Sequence, residues 1–308
     1  MRNTLKAVAA AALLGATIGS FGAGQASAAL PKIVSSNMPV KVLFNARVLS
    51  SDVQPKISNG AVLVPIRFIG EKLGVNFALS GKTLQINNIK TNILLTIGSQ
   101  IAVVNGKSVE LNETVQSESG RILVPLQVVN LLNVSVEWDS TLKFVWVGSK
   151  EVPEFKKIAP DASSLQPYLK YFKDSPSMLT DTGKQINKVT IINQEAFPFQ
   201  FQGTTFYRLD LAKDNKGASY IRVSSTDTGI AVTNLYFVGP KETLRNRYSP
   251  TYLRYPENGY RLNYYPIVDR SDLDKNDRDY KEMSIKKVSY VGIHMGYETM
   301  VMLKNPWR

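Results

Sequence analysis

The sequence predicts an α+β protein in two parts. A duplicated strand–helix–strand module, with two short helices packed on small sheets, precedes a mostly β domain built as a sandwich. Three observations predict this. Residues 60–77, reading GAVLVPIRFIGEKLGVNF, return as residues 120–138, reading GRILVPLQVVNLLNVSVEW. In each copy a short apolar run gives way, at a Val-Pro step, to apolar residues at helical spacing. From Lys188 onward the chain reads as short runs rich in Val, Ile, Phe and Tyr, punctuated by Gly, Asp, Asn and Pro.

Residues 1–28 read as an export signal. Arg2 and Lys6 make a basic start, residues 7–22 an apolar core, and Ala26-Ser27-Ala28 a small-x-small cleavage site. Cleavage after Ala28 leaves 280 of the 308 residues, which suits two domains. The expected location is secreted or cell-wall associated, because no later apolar run is long enough for a transmembrane helix. The chain has no cysteine, which excludes disulfides, thiolate metal ligands and lipid attachment at a Cys after the leader. An exported chain without disulfides is held by its core alone and points to a bacterial source. The formal charge of +12 falls to +10 once Arg2 and Lys6 are removed. Outside the cytoplasm such a surface meets anionic wall polymers or acidic glycans rather than nucleic acid. A plain role in solubility explains the same charge.

The module spans residues 37–148. Residues 39–49 read as a strand, with Asn45-Ala46 matched about sixty positions later by Asn105-Gly106, a hairpin pair favouring positive φ. The runs 62–65 and 122–125 read as buried strands. Pro65 and Pro125 end them and open the helices, where a missing N–H costs nothing. Ile66, Ile69 and Leu73 fall on one helical face, broadened by Phe68. Leu126, Val129 and Leu132 repeat it in a helix one residue shorter. Gly74 and Asn133 sit where a left-handed C-cap belongs. Residues 75–79 and 134–138 leave as strands, and 83–86 and 143–147 close each unit. A repeat of this kind shares one core between its copies. The recurring residues are packing and turn residues, with no nucleophile, metal cluster or phosphate loop among them.

Residues 149–164 read as an exposed linker, rich in Pro, Lys, Glu and Ser. The domain 165–308 follows, opening with a short helical piece at 165–172 that packs on it. Strands are expected at 189–192, 199–211, 220–224, 230–238, 260–268, 285–295 and 300–303. In 205–211, Thr205, Tyr207, Leu209 and Leu211 alternate with Phe206, Arg208 and Asp210, the pattern of a half-buried strand. About seven such strands suggest a sandwich.

The blocks VPIRFIGEKLGVNF, LTIGSQIAVVNGKSVELN and GRILVPLQVVNLLNVSVEWD, in that order, resemble the copper amine oxidase N-terminal domain family, also called stalk domains. The resemblance covers roughly residues 37–148, a little over a third of the chain. It implies an exported protein of a Gram-positive bacterium, with the module joined to an unrelated C-terminal part. Gln127 departs from the arginine at Arg67, and the second helix lacks the family's acidic and small residues. The resemblance does not carry amine oxidation, because true copper amine oxidases place that chemistry in a separate domain. That domain needs three copper-binding histidines and a Thr-x-x-Asn-Tyr segment. This chain has only His294, and its Asn263-Tyr264 has Tyr260 where the threonine belongs.

Two stretches stand out as candidate sites. Residues 244–265 interleave Arg245, Arg247, Arg254 and Arg261 with Tyr248, Tyr252, Tyr255, Tyr260, Tyr264 and Tyr265. Tyrosine faces stack on sugar rings and arginine forks hold carboxylates or phosphates. The same residues also suit a partly buried strand pair. In 269–279, Asp272, Asp274 and Asn276 take the first, third and fifth places of a calcium loop. Asp277 stands where the loop's glycine belongs and Met283 where its Glu belongs, so a looser calcium site and a solvated acidic loop both remain open. His294 reads as a packed strand residue. Glu195, Asp210, Glu242 and Glu298 are the carboxylates from which a hydrolytic pair would be drawn. Trp138 and Trp146 read as structural, and Trp307 as exposed.

The expectation is a non-enzymatic exported protein with no bound cofactor. Its stalk module presents a β-rich domain to a wall polymer, acidic glycan or surface protein. The alternatives are an exported carbohydrate-active enzyme using C-terminal carboxylates, and a self-associating surface-layer component.

Overall fold

The computed structural model describes residues 30–181, 183–226, 234–239, 243–275, 277–293 and 299–308. The side chains of Asp181, Tyr252, Asp274 and Lys275 lie outside that description. Strand β1 (Ile33–Asn37) leads into β2 (Lys41–Phe44), which turns into β3 (Arg47–Val48). The stretch expected as one strand is therefore a hairpin. Asn45 and Ala46 both adopt left-handed φ, 48° and 58°, as a tight hairpin turn demands. β4 (Lys56–Ser58) and β5 (Ala61–Pro65) form a second hairpin, and β5 is buried along its whole length.

Helix α1 (Ile66–Leu73) follows Pro65 and ends at Gly74 with φ 67°. Ile66 and Ile69 enter the core at 2% and 1% exposure. Strands β6 (Asn76–Ser80), β7 (Thr83–Asn87), β8 (Asn92–Thr96), β9 (Ile101–Val104) and β10 (Lys107–Glu110) make an antiparallel meander. β11 (Gln116–Glu118) and β12 (Arg121–Pro125) lead into helix α2 (Leu126–Asn130). That helix has five residues against eight in α1, a larger difference than the single residue expected. Its last turn tightens: the amides of Leu132 and Asn133 donate to carbonyls three residues back, and Asn133 ends the turn at φ 59°. β13 (Val136–Asp139) and β14 (Phe144–Val147) close this half.

Two pairings draw these elements together. β5 runs antiparallel to β12, with Val64 opposite Val124 and each proline opposite a leucine, Pro65 to Leu123 and Pro125 to Leu63. β14 runs parallel to β2, the last strand of the region beside its first. Ile66, Ile69, Val128, Val129 and Leu132 share one core with Ile86, Ile93 and Leu95 of the meander.

Residues 149–164 are not a free connection. Val152 and Phe155 are buried, and helix α3 (Phe155–Ile158) sets the Phe155 ring 4.9 Å from that of Phe199. β15 (Ser163–Ser164) follows. The expected helical piece is a 3-10 helix, Gln166–Phe172, with Leu165 and Phe172 buried. The remaining strands are β16 (Thr180–Asp181), β17 (Lys184–Gln185), β18 (Lys188–Ile192), β19 (Phe199–Phe201), β20 (Thr204–Asp214), β21 (Ser219–Ser225) and β22 (Leu235–Val238). After them come β23 (Leu244–Arg247), β24 (Arg254–Glu257), β25 (Tyr260–Pro266), β26 (Tyr290–Ile293) and β27 (Thr299–Lys304). β23 and β24 lie in the 244–265 segment, whose residues also suit a partly buried strand pair; β23 pairs with β22 and β24 with β25. The run 199–211 splits at Gln202-Gly203, and the run 285–295 opens as a 3-10 turn before β26.

Two large sheets result, in the orders β1-β20-β21-β25-β24 and β15-β18-β27-β26-β22-β23, with β19 also on β20, while β16 and β17 pair only with each other. Leu209, Ile221, Val223 and Tyr265 of the first sheet share a core with Leu235, Phe237, Val291 and Val301 of the second. The fold is therefore mostly β with few helices. No helix among the described residues is long and apolar enough to cross a membrane. β1 belongs to the first of these sheets, opposite residues 211–214 of β20, although it precedes the whole of the 41–147 region. Contacts group Pro31–Arg308 as one unit.

The expected half-buried strand is corrected. β20 is covered on both faces: Phe206 and Leu209 enter the core, and Arg208 and Asp210 are buried at 0% and 3% exposure on the other side. The pairing of Phe206 with Ser225 and of Arg208 with Ser224 marks a β-bulge at Tyr207. The bulge breaks the alternation and sends Tyr207 and Arg208 to the same side.

Gly70 gives a test of the helix packing. A Cβ there would lie 2.1 Å from the Phe77 ring and 2.6 Å from Val75. Gly70→Ala is therefore expected to destabilise by about 1–3 kcal/mol through overpacking, although alanine gains about 1 kcal/mol of helix propensity. Urea denaturation reads the sign.

Candidate functional site

The Tyr/Arg segment does not form one surface. Arg245 and Arg247 lie on β23 at 2% and 0% exposure. Arg247 donates to both oxygens of Asp272, at 2.9 and 2.8 Å, and to the Ile267 carbonyl at 3.1 Å. Its guanidinium lies 4.8 Å over the Phe237 ring. Arg245 pairs with Asp277 at 2.5 Å and with Asp272 at 3.3 Å. Neither arginine faces solvent, so neither is a surface contact for a ligand. Tyr264 and Tyr265 are buried as well. Tyr260 donates to Asp139 of β13, and burial followed by that bond pushes its phenol far above the usual range. Arg254 donates to the Ser249 carbonyl at 2.8 Å, and Tyr255 meets the Tyr264 ring edge-on. Tyr248 is exposed, and Arg261 is half-buried. The Tyr252 side chain lies outside the described residues.

The acidic loop is the counterpart of those arginines. Both oxygens of Asp272 are engaged by guanidinium groups, and a cation there would have to displace them. The side chain of Asp274 and all of Asn276 lie outside the described residues, as do His294, Glu242 and Glu298. Glu195 is exposed, and Asp210 is taken up by Arg208. Trp146 is buried and Trp138 packs on the first core; Trp307, expected exposed, packs against the sheet-to-sheet core.

Sequence reasoning missed the polar centre on the far side of β20. Arg208 holds Asp210 through Nε and Nη2, at 2.6 and 2.7 Å. It also donates to the carbonyls of Leu142 and Pro39. Arg222 donates to the Thr141 carbonyl at 3.0 Å, and Asn258 to the Thr141 hydroxyl at 2.7 Å. Arg47 returns the contact, donating to the carbonyls of Glu195, Ala196 and Pro198. Burial, then the nearby Arg208 guanidinium, hold the Lys41 amine below its usual range. Leu142, Phe144, Trp146, Tyr207 and Tyr260 enclose this centre in apolar surface. No signal in the sequence marks it: Arg208 meets Asp210, but its other hydrogen bonds, like those of Arg222 to Thr141 and of Arg47 to residues 195–198, end on main-chain carbonyls.

The other face of the same sheet carries an open groove of about 560 Å³. Ser35 of β1, Lys213 of β20 and Ser219 of β21 lie in one cross-strand row along it. Paired residues of neighbouring strands share a face, so a hydroxyl, an ammonium and a second hydroxyl stand side by side. Leu211, Ile267, Met283 and Ile285 supply an aliphatic floor, and Asn37 and Ser284 stand at its rim. The lining holds donors and one cation but no carboxylate, histidine or cysteine. Such a set orients an anion and does not supply a general acid–base pair.

Residues 43–147 match the family model of the copper amine oxidase N-terminal domain. The match covers about a third of the chain and is to that N-terminal domain, not to the catalytic domain of those enzymes. The C-terminal region has no family match. No curated protein matches the chain.

Two tests follow from this geometry. Arg247→Ala leaves Asp272 buried with one weaker partner and is expected to cost about 3–5 kcal/mol in urea denaturation. Calorimetry of the whole protein is expected to give one transition, with equal calorimetric and van't Hoff enthalpies. Two separate transitions would show that the buried arginine contacts do not couple the halves.

Proposed function

We propose that the protein is an exported, non-catalytic component of the cell surface or wall, cleaved after Ala28. In this reading the 37–148 region is a duplicated scaffold module and the two facing sheets of the C-terminal half are a sandwich that recognises an anionic wall polymer or acidic glycan. The observation that carries it is the groove along β1 and β20, where Lys213 stands between Ser35 and Ser219 above an aliphatic floor. The excess of Lys and Arg over Asp and Glu, 37 against 25, favours the same class of partner. The match of residues 43–147 to a non-catalytic domain agrees with a scaffold role for the module.

The groove replaces the Tyr/Arg segment as the contact, since Arg245 and Arg247 are spent inside the fold. Lys213→Glu is expected to lower affinity for a purified anionic wall polymer at least tenfold, read by calorimetric titration at low salt. An unchanged affinity in that variant, with loss in Arg261→Glu, would move the contact to the part of the Tyr/Arg segment that reaches the surface. No binding of any anionic polymer by the unaltered protein would overturn the reading.

A further inference from the structure

The outer face of the β6–β10 meander differs in chemistry from the basic character of the chain. Its inner face packs Leu84, Ile86, Ile93, Leu95 and Ala102 into the core. Alternation turns the remaining strand residues outward. The central outward row, read across the five strands, is Ala78, Gln85, Leu94, Val103 and Ser108. On one side of it lie Asn76, Asn87 and Asn92, and on the other Ser80, Thr83 and Thr96. Leu94 and Val103 are half-buried by their neighbours, and Ala78, Thr83, Asn92 and Thr96 are exposed. Gln85 donates along the face to Asn87 and Asn92, at 3.4 and 3.3 Å. Lys82 and Lys90 stand on the turns at the strand ends, and Glu110, at the outer corner, is the charged exception.

We infer that this face is a self-association surface and that its occupant is the same face of a second copy. Two arguments select that occupant. Copies that each carry a formal charge of +12, or +10 without the leader, repel one another, and the repulsion is least where an uncharged face meets an uncharged face. Amide and hydroxyl groups are donors and acceptors at once, so a patch of them is self-complementary across a twofold axis, as a patch of lysines is not. Leu94, Val103 and the exposed Ile101 within a mostly neutral polar surround also give the composition of an interface core and rim. An acidic partner would find cations only on the strand-end turns of this face, at Lys82 and Lys90.

The size of the face sets the strength. Five strands about 4.8 Å apart and five residues long cover roughly 350 Å². A standard interface buries about 800 Å² per partner, so this contact alone is weak and acts where local concentration is high, as on a surface. The two sheets would stack about 10 Å apart. This inference does not depend on the groove and involves none of its residues.

Sedimentation equilibrium of the whole protein tests it, from micromolar to millimolar, at about 20 mM and about 500 mM salt. Salt screens the net charge, so the association is expected to strengthen as salt rises. Leu94→Lys and Ala78→Lys place two like charges across the twofold axis, and each is expected to weaken association at least tenfold without moving the midpoint of unfolding. Ala78 is exposed, so its variant keeps the test valid if Leu94→Lys disturbs the fold. A monomer at every concentration and salt would overturn the inference. So would association that salt abolishes, which would place the contact on charged surfaces, or retention of the monomer by a neutral polysaccharide through this face.

Discussion

Arginines from each half of the structure end on main-chain carbonyls of the other, and the arrangement of the rest depends on it. Arg47 caps three carbonyls at residues 195–198, while Arg208 and Arg222 reach the carbonyls of residues 39, 141 and 142. Arg208 and Arg222 are buried, with Lys41 close by, yet Asp210 is the one carboxylate engaged by Arg208 there. Buried charge without enough counter-charge is costly unless every donor finds an acceptor. Thr141 and Leu142, between β13 and β14, and Pro39, ahead of β2, supply carbonyl acceptors to Arg222 and Arg208. A guanidinium meets a carbonyl in a charge-assisted bond, stronger than a neutral one and more demanding of geometry.

The same device recurs within the C-terminal half. Arg245 and Arg247 hold Asp272 and Asp277 through buried ion pairs. Two positive and two negative charges meet there, each side chain buried. In both places polar groups do the work of joining elements distant in the chain, while apolar residues exclude water around them.

What could be read in the sequence was local. Pro65 and Pro125 mark the helix starts, and Gly74 and Asn133 mark the turns that end them, because each answers to the backbone angles of its own position. The Asn105-Gly106 hairpin is legible for the same reason. Arg208 and Asp210 were misread because alternation shows that a face is polar, not that another part of the chain covers it. Arg245 and Arg247 read as a ligand platform because their partners lie further along the chain, 25 residues on in the case of Arg247 and Asp272. The groove left no trace, since Ser35, Lys213 and Ser219 become neighbours only through strand pairing.

Strand β1 carries a mechanical consequence. It is hydrogen-bonded to β20 of the C-terminal sheet and passes directly into β2 through residues 38–40. A tether attached ahead of β1 would load the β1–β20 ladder before any force reached the region that begins at Lys41. The region 41–147 is thus a loop closed at its root by a strand, shielded from tension by the sheet it interrupts.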